Sequence, residues 1–147
     1  MASVSVYLNF PGQTEEAFLF YKSVFGTEFS GPIHRMRDVP PWPGAPELSE
    51  AEKNMVMHVA LPILGGHLLM GSDVIDCMGQ TFTPGNNINI SLAPDTRSET
   101  ERLFKALSQG GKVIMELQDM FWGDYFGSFI DKFGVPWMLN CAEKPQS

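Results

Sequence analysis

Apolar residues recur along this chain in two successive rounds of the same order. Val4 to Phe10 is an apolar run of strand length, broken by Pro11-Gly12. The period then lengthens. Ala17, Phe20, Tyr21, Val24 and Phe25 fall at i, i+3, i+4, i+7 and i+8, which predicts a helix over Thr14–Phe25 with one apolar face. Glu15 and Glu16 occupy its first turn, where the helix dipole favours carboxylates, and Gly26 suits its end. Glu28–Met36 reads as a second strand. Met55–Pro62 and His67–Ser72 read as two more, joined around Gly65-Gly66.

The second round begins near Asn86. Asn87-Ile88-Asn89-Ile90-Ser91-Leu92 alternates strictly, with the polar residues on one face. Asp95 or Thr96 opens a helix, Thr96 with Glu99 fits a capping box, and Leu103, Phe104 and Leu107 form a buried stripe ahead of Gly110-Gly111. Strands are predicted over Lys112–Leu117, about Tyr125–Ile130, and Val135–Cys141. The last two flank Asp131-Lys132-Phe133-Gly134, where Asp suits the start of a type I turn and Gly accepts positive φ. Aligning Phe20 with Phe104 also aligns Gly26 with Gly110. The element order is therefore strand–helix–three strands, twice, in one α+β domain of two fused modules, about 1–80 and 86–147. Periodicity alone leaves the arrangement of the sheets open.

Between Asp38 and Asn54 the pattern lapses. Pro40, Pro41, Pro43 and Pro46 forbid a regular ladder, and Trp42 places a large apolar group on the loop. So long an excursion in a small domain predicts a functional rim or a lid.

Composition narrows the classes. The 147 residues are 44% hydrophobic and 18% charged, as in a folded globular protein. A net charge of -7 argues against a nucleic-acid partner, which needs clustered Lys and Arg. Met1-Ala2-Ser3-Val4-Ser5-Val6 has neither the basic nor the apolar region of a signal peptide, and no apolar stretch is long enough to span a bilayer. The expectation is a cytoplasmic protein with no membrane partner. Cys77 and Cys141 have no metal-type spacing and read as free thiols.

The late segment is the most specific: Trp122, Phe126-Gly127, Asp131, Phe133-Gly134-Val135 and Trp137. Together with Tyr7-Leu8-Asn9-Phe10, Glu16-Ala17-Phe18, Phe20-Tyr21, Phe25-Gly26 and Gly66-His67-Leu68-Leu69-Met70-Gly71-Ser72-Asp73, it resembles the PhnB-like branch of the vicinal oxygen chelate superfamily. That superfamily holds glyoxalases, bleomycin-resistance proteins and dioxygenases. The resemblance implies two βαβββ modules forming a cleft, and a homodimer. In metal-dependent relatives His, Glu or Asp ligands come from the first, fourth, fifth and eighth strands. Here the first strand offers Ser5 or Val6, the fourth Leu69 or Met70, the fifth Asn87 or Asn89, and the eighth Met138. None is a strong ligand for zinc, nickel or iron, so no metal and no cofactor is expected.

The expected activity is binding of an unidentified small molecule in a metal-free cleft. The alternative is a metal-dependent lyase, isomerase or dioxygenase. Asn87, Asn89, Met70, Trp122 and Tyr125 are the expected ligand contacts. A turn on Gly65-Gly66 would set Ala60 opposite Gly71, Pro62 opposite Leu69, Leu64 opposite His67, and His58 opposite Asp73. Opposed side chains lie about 4.5–5.5 Å apart at Cβ. His58 and Asp73 are thereby the candidate acid–base pair, with a structural clasp as the plainer reading.

Overall fold

A helix laid on one face of a four-stranded sheet is the plan of each half of the molecule. The computed structural model describes residues 2–146, and the chain divides between Thr83 and Pro84 into two units. In the first, β1 (Val6–Phe10) leads into α1 (Thr14–Phe25), followed by β2 (His34–Arg35), a short helix α2 (Glu50–Asn54), β3 (Val56–Pro62) and β4 (Leu68–Asp73). The sheet order is β1-β4-β3-β2, with β1 parallel to β4 and the other pairs antiparallel. The second unit repeats this with β5 (Ile90–Leu92), α3 (Arg97–Ser108), β6 (Lys112–Asp119), β7 (Tyr125–Ile130) and β8 (Pro136–Cys141), in the order β5-β8-β7-β6.

The apolar stripe of α1 differs from the predicted one. Ala17, Tyr21 and Val24 are buried as expected, but Phe18 is fully buried while Phe20 and Phe25 are only half-buried. The reason lies on β4. A Cβ on Gly71 would stand 2.7 Å from the Phe18 ring, so the bare backbone leaves the space that the ring fills. Phe10, Val59, Leu61 and Leu69 complete this core, each large side chain contributing about 1.5–3 kcal/mol by burial.

The expected second strand, 28–36, shrinks to His34–Arg35. Gly31 takes φ 155 and Pro32 has no N–H to donate. The segment is held instead by isolated bonds, Thr27 Oγ1 donating to Pro62 O (2.6 Å) and Ser30 N to Ala60 O (2.9 Å). The expected irregular stretch after Asp38 contains α2. Ser49 caps that helix by accepting from Glu52 N, while the Glu52 carboxylate accepts from Ser49 N.

The hairpin register is displaced by one residue from the predicted one. Val59, Ala60, Leu61 and Pro62 stand opposite Gly71, Met70, Leu69 and Leu68. Ile63 N donates to His67 O across a three-residue loop, Leu64–Gly66, so the turn centres on Gly65. Both glycines are left-handed, at φ 68 and 77, which accommodates the extra loop residue.

In the second unit the helix and hairpin follow the sequence reading closely. Thr96 accepts from Glu99 N, and Leu103, Phe104 and Leu107 are buried with Thr100. The reciprocal half of the expected capping box is replaced, because Glu99 is drawn to Arg102 (2.6 Å). Asp131 organises the turn between β7 and β8. Its Oδ1 accepts from Phe133 N and Val135 N, its Oδ2 accepts from the buried Trp137 Nε1 at 2.8 Å, and Gly134 takes φ 88. The fifth strand is shorter than predicted. It starts at Ile90, leaving Asn87 and Asn89 in the exposed segment before it.

Candidate ligand-binding site

The face of the first sheet that α1 does not cover can be read from the register. Tyr7 pairs with Met70, Asn9 with Ser72, and Met70 with Ala60. These residues alternate with the buried Phe10, Leu69 and Gly71 on the helix side. His58 joins them on the open face. Its ring stacks on Tyr7, with centroids 5.7 Å apart, and its Nδ1 shares a 3.2 Å hydrogen bond with the Tyr7 hydroxyl. Beside it, Ser72 Oγ donates to Asn9 Oδ1 at 3.3 Å. This is a polar patch built from side chains on three strands.

At the C-terminal end of β1 and β4 the open face runs into a cleft of about 320 Å³. Tyr7, Ser72 and Asp73 form its sheet side, and Met57 of β3 lies next to them. The chain beyond β2 supplies Met36, Val39 and Trp42, and the chain beyond β4 supplies Ile75, Met78 and Gln80. The Pro-rich excursion is therefore a wall of this cleft. Its Trp42 remains 45% exposed, so the indole is accessible from solvent. Gln80 is positioned by accepting from Ile75 N through its Oε1 (2.8 Å).

Asp73 has a structural task here. Its Oδ1 accepts from Thr14 N at the start of α1 (3.0 Å) and its Oδ2 from Val56 N (2.8 Å), and it is 7% exposed. A carboxylate at a helix N-terminus is favoured by the dipole and satisfies backbone donors that have no partner within the helix. His58 and Asp73 consequently do not form the predicted pair. Asp73 turns to the helix side of β4, and His58 turns to the open side and meets Tyr7. The one-residue change in register is the cause, since it moves every side chain on one strand to a new opposite number.

The ligand contacts expected from sequence fall in different places. Met70 is half-buried on the open face of the first sheet. Asn87, Asn89, Trp122 and Tyr125 all belong to the second unit. Trp122 packs edge-on against Phe121 and Phe126. The Tyr125 hydroxyl donates to Glu101 (3.1 Å), and the Arg97 guanidinium lies over its ring at 3.8 Å. Burial, followed by that bond to Glu101, pushes the Tyr125 hydroxyl above its ordinary pKa. Sequence reasoning does not single out Tyr7, although Tyr7 and Asn9 alternating with Val6, Leu8 and Phe10 are the trace of an open face.

The four strands that carry metal ligands in some relatives present no donor set for a divalent cation. The open-face residues are Tyr7 and Asn9 on β1, Met70 and Ser72 on β4, Ser91 on β5, and Met138 and Asn140 on β8. None is an imidazole or a carboxylate. Among the described residues no three His, Cys, Asp or Glu side chains cluster to hold a metal ion.

Two βαβββ units, each with one helix-covered and one open sheet face, define the glyoxalase/bleomycin-resistance fold. A glyoxalase/bleomycin resistance protein/dioxygenase family enzyme from Burkholderia phytofirmans shares that fold at 16% identity, with a TM-score of 0.61 over 93% of this chain and 97% of its own. Within that fold this chain belongs to the family described as 3-demethylubiquinone-9 3-methyltransferase, whose model matches residues 2–140, and to its PhnB-like branch. It is similar to protein PA1353 from Pseudomonas aeruginosa, at 35% identity and TM-score 0.79 over 99% of this chain and all of that one. It is also similar to a putative 3-demethylubiquinone-9 3-methyltransferase, PhnB protein, from Bacillus cereus (28%, TM-score 0.73, covering 96% and 100%). Protein YjdN from Escherichia coli K12 is 27% identical over 96% of both chains.

Proposed function

We propose that this protein binds a small organic molecule in the cleft of its first unit, without a metal ion. One observation carries the reading. A methionine- and tryptophan-walled cleft opens beside a polar patch on the same sheet, the combination of apolar walls and few polar groups that small-molecule sites use. The absence of imidazole and carboxylate donors on the open faces of β1, β4, β5 and β8 supports the metal-free part. Met70 lies on the same sheet face as the cleft, whereas Asn87, Asn89, Trp122 and Tyr125 do not enter this reading.

The family's description names methyl transfer to demethylubiquinone. A nucleotide-type methyl donor on a doubly wound sheet calls for a glycine-rich turn between strand and helix. The two such turns here are Phe10-Pro11-Gly12-Gln13, with one glycine, and Ala93-Pro94-Asp95-Thr96, with none. The proposal therefore takes binding, and not methyl transfer, as the activity.

The test is a ligand panel read by thermal shift and calorimetry on wild type, Trp42→Ala and Trp122→Ala. Trp42→Ala is expected to weaken any hit about tenfold or more, and Trp122→Ala to leave it within about twofold. The reverse result would move the site to the second unit.

We further propose a cytoplasmic homodimer. No helix among the described residues is long and apolar enough to cross a membrane. The edge strand β6 leaves Val113, Ile114 and Met115 exposed, and Phe121 beyond it is 96% exposed, which favours cover by a second copy. Light scattering at micromolar concentration should give twice the chain mass, and a monomer would end this part of the proposal.

A further inference from the structure

The lining of the cleft is selective in charge as well as in polarity. Among its residues, Tyr7, Met36, Trp42, Met57 and Met78 carry electron-rich groups: a phenol, an indole and three thioethers. Among the described residues no Lys, Arg or His contributes to that lining. Arg35, which feels the charge of Asp73, is committed elsewhere. It grips Glu15 with two nitrogens (3.0 and 2.8 Å) and donates to Asn54 O at 2.9 Å. An anionic ligand would find no counter-charge on the cleft wall. A strongly hydrated cation such as a primary ammonium would lose its water to thioethers and rings that cannot replace its hydrogen bonds.

We infer that the cleft is built for a small methylated organic cation, of the quaternary ammonium or sulfonium class, resting against Trp42 and Tyr7. This rests on the reading of the cleft as a ligand site. Methyl groups spread the positive charge over an apolar surface, which suits an apolar wall and needs no hydrogen-bond acceptors. The faces of indole and phenol attract such a charge through their quadrupoles, with tryptophan the stronger, and this is how aromatic cages hold methylated ammonium groups. Both rings are about 45% exposed, Tyr7 with His58 stacked on one side, so exposed ring surface remains for a ligand entering from solvent. Methionine supplies adaptable, polarisable contacts around methyl groups. At longer range the net charge of -7 favours the approach of a cation.

The inference is tested with two probes of equal shape, choline and its uncharged carbon isostere 3,3-dimethylbutan-1-ol, titrated calorimetrically into the full-length protein. Choline is expected to bind about tenfold more tightly than the alcohol. Trp42→Leu is expected to remove most of that difference, while Trp42→Phe keeps part of it. Trp42 is the variant of choice because it lies on the exposed loop and not in the core. Equal binding of the two probes, or stronger binding of phenylphosphonate than of choline, would overturn the assignment. If neither probe binds but an uncharged compound does, and Trp42→Ala weakens it, the cation assignment falls and the cleft reading stands. If nothing on the panel binds up to millimolar concentration, both fall.

Discussion

The two units share one topology, yet only the first is interrupted. In the second unit β6 runs for eight residues and reaches β7 through residues 120–124. In the first, β2 stops after two residues and the chain spends residues 36–55 on a Pro-rich excursion and a short helix before β3 begins. The cleft stands where that strand was cut short, and its walls are the excursion and the segment after β4. The lesson is that the repeated scaffold supplies the open sheet, while the departure from the repeat supplies the site.

The same contrast runs through the packing. Each helix lays a phenylalanine on a glycine of the sheet, but on different strands. Phe18 sits over Gly71 of β4, and Phe104 over Gly127 of β7. The cross-strand neighbours reverse as well, with Val59 beside Gly71 and Leu139 beside Gly127. Each helix start is anchored by an acid following or ending the fourth strand of its unit. Asp73 accepts from Thr14 N while buried, and Glu143 accepts from Arg97 N at 2.6 Å while exposed. Each helix is also tied to the second strand by a two-pronged Arg–carboxylate pair of opposite polarity. α1 carries the acid (Glu15 to Arg35), whereas α3 carries the base (Arg97 to Asp119). Two halves with the same fold thus reach it by different side chains.

That comparison can be broken most sharply at the two buried aspartates. Asp131→Ala removes the acceptor of three N–H groups in the second unit, and Asp73→Ala that of two in the first. Hydrogen bonds to a charged group are worth about 1.5–3 kcal/mol each, though not additively. We expect losses of roughly 3–5 kcal/mol and roughly 2–4 kcal/mol, measured by urea unfolding. Asp73→Ala as the costlier change would show that the anchor of α1 matters more than the aromatic turn.

The glycine–phenylalanine contacts come next. Gly71→Ala and Gly127→Ala each drive a methyl to 2.7 Å from a ring, and overpacking of this kind costs about 1–3 kcal/mol. The damage should be partly relieved by Phe18→Leu in the first case and by Phe104→Leu in the second, and not by the exchanged pairings. Thermal unfolding of the four double variants checks this. Rescue by the wrong partner would mean the units do not pack independently.

The smallest effect is electrostatic. The bond from Arg35, opposed by slight burial and aided by its charge, holds the Glu15 carboxyl below the usual glutamate range. A carboxylate with a lowered folded-state pKa contributes stability that is complete above the unfolded value and is lost as pH falls through the folded one. Arg35→Gln should therefore cost less than about 1 kcal/mol near neutrality, because the pair is partly exposed. The difference from wild type should vanish in acid, below the ordinary carboxylate range. A difference that grew on acidification would reverse the sign of this argument.

Much of the architecture was legible because it depends on local rules. The helices Thr14–Phe25 and about Thr96 onward follow from 3.6-residue periodicity and caps, and the aromatic hairpin follows from Asp131 and Gly134, whose turn chemistry is written in four consecutive residues. The doubled strand–helix order was legible for the same reason. What differed depended on partners distant in sequence or on glycine and proline angles that periodicity does not reveal. Whether Phe18 or Phe20 is buried was decided by a glycine on β4. The choice between a two-residue turn and a three-residue loop at Gly65-Gly66 turned on backbone angles that two adjacent glycines leave equally free, and with it went the His58–Asp73 pairing. Strand 28–36 was lost to Gly31 and Pro32. The sequence by itself determined the repeated modules and the unusual loop around Trp42. Only the tertiary structure brought Trp42, Tyr7 and three methionines to one cleft, because that meeting joins four segments of chain with no shared local pattern.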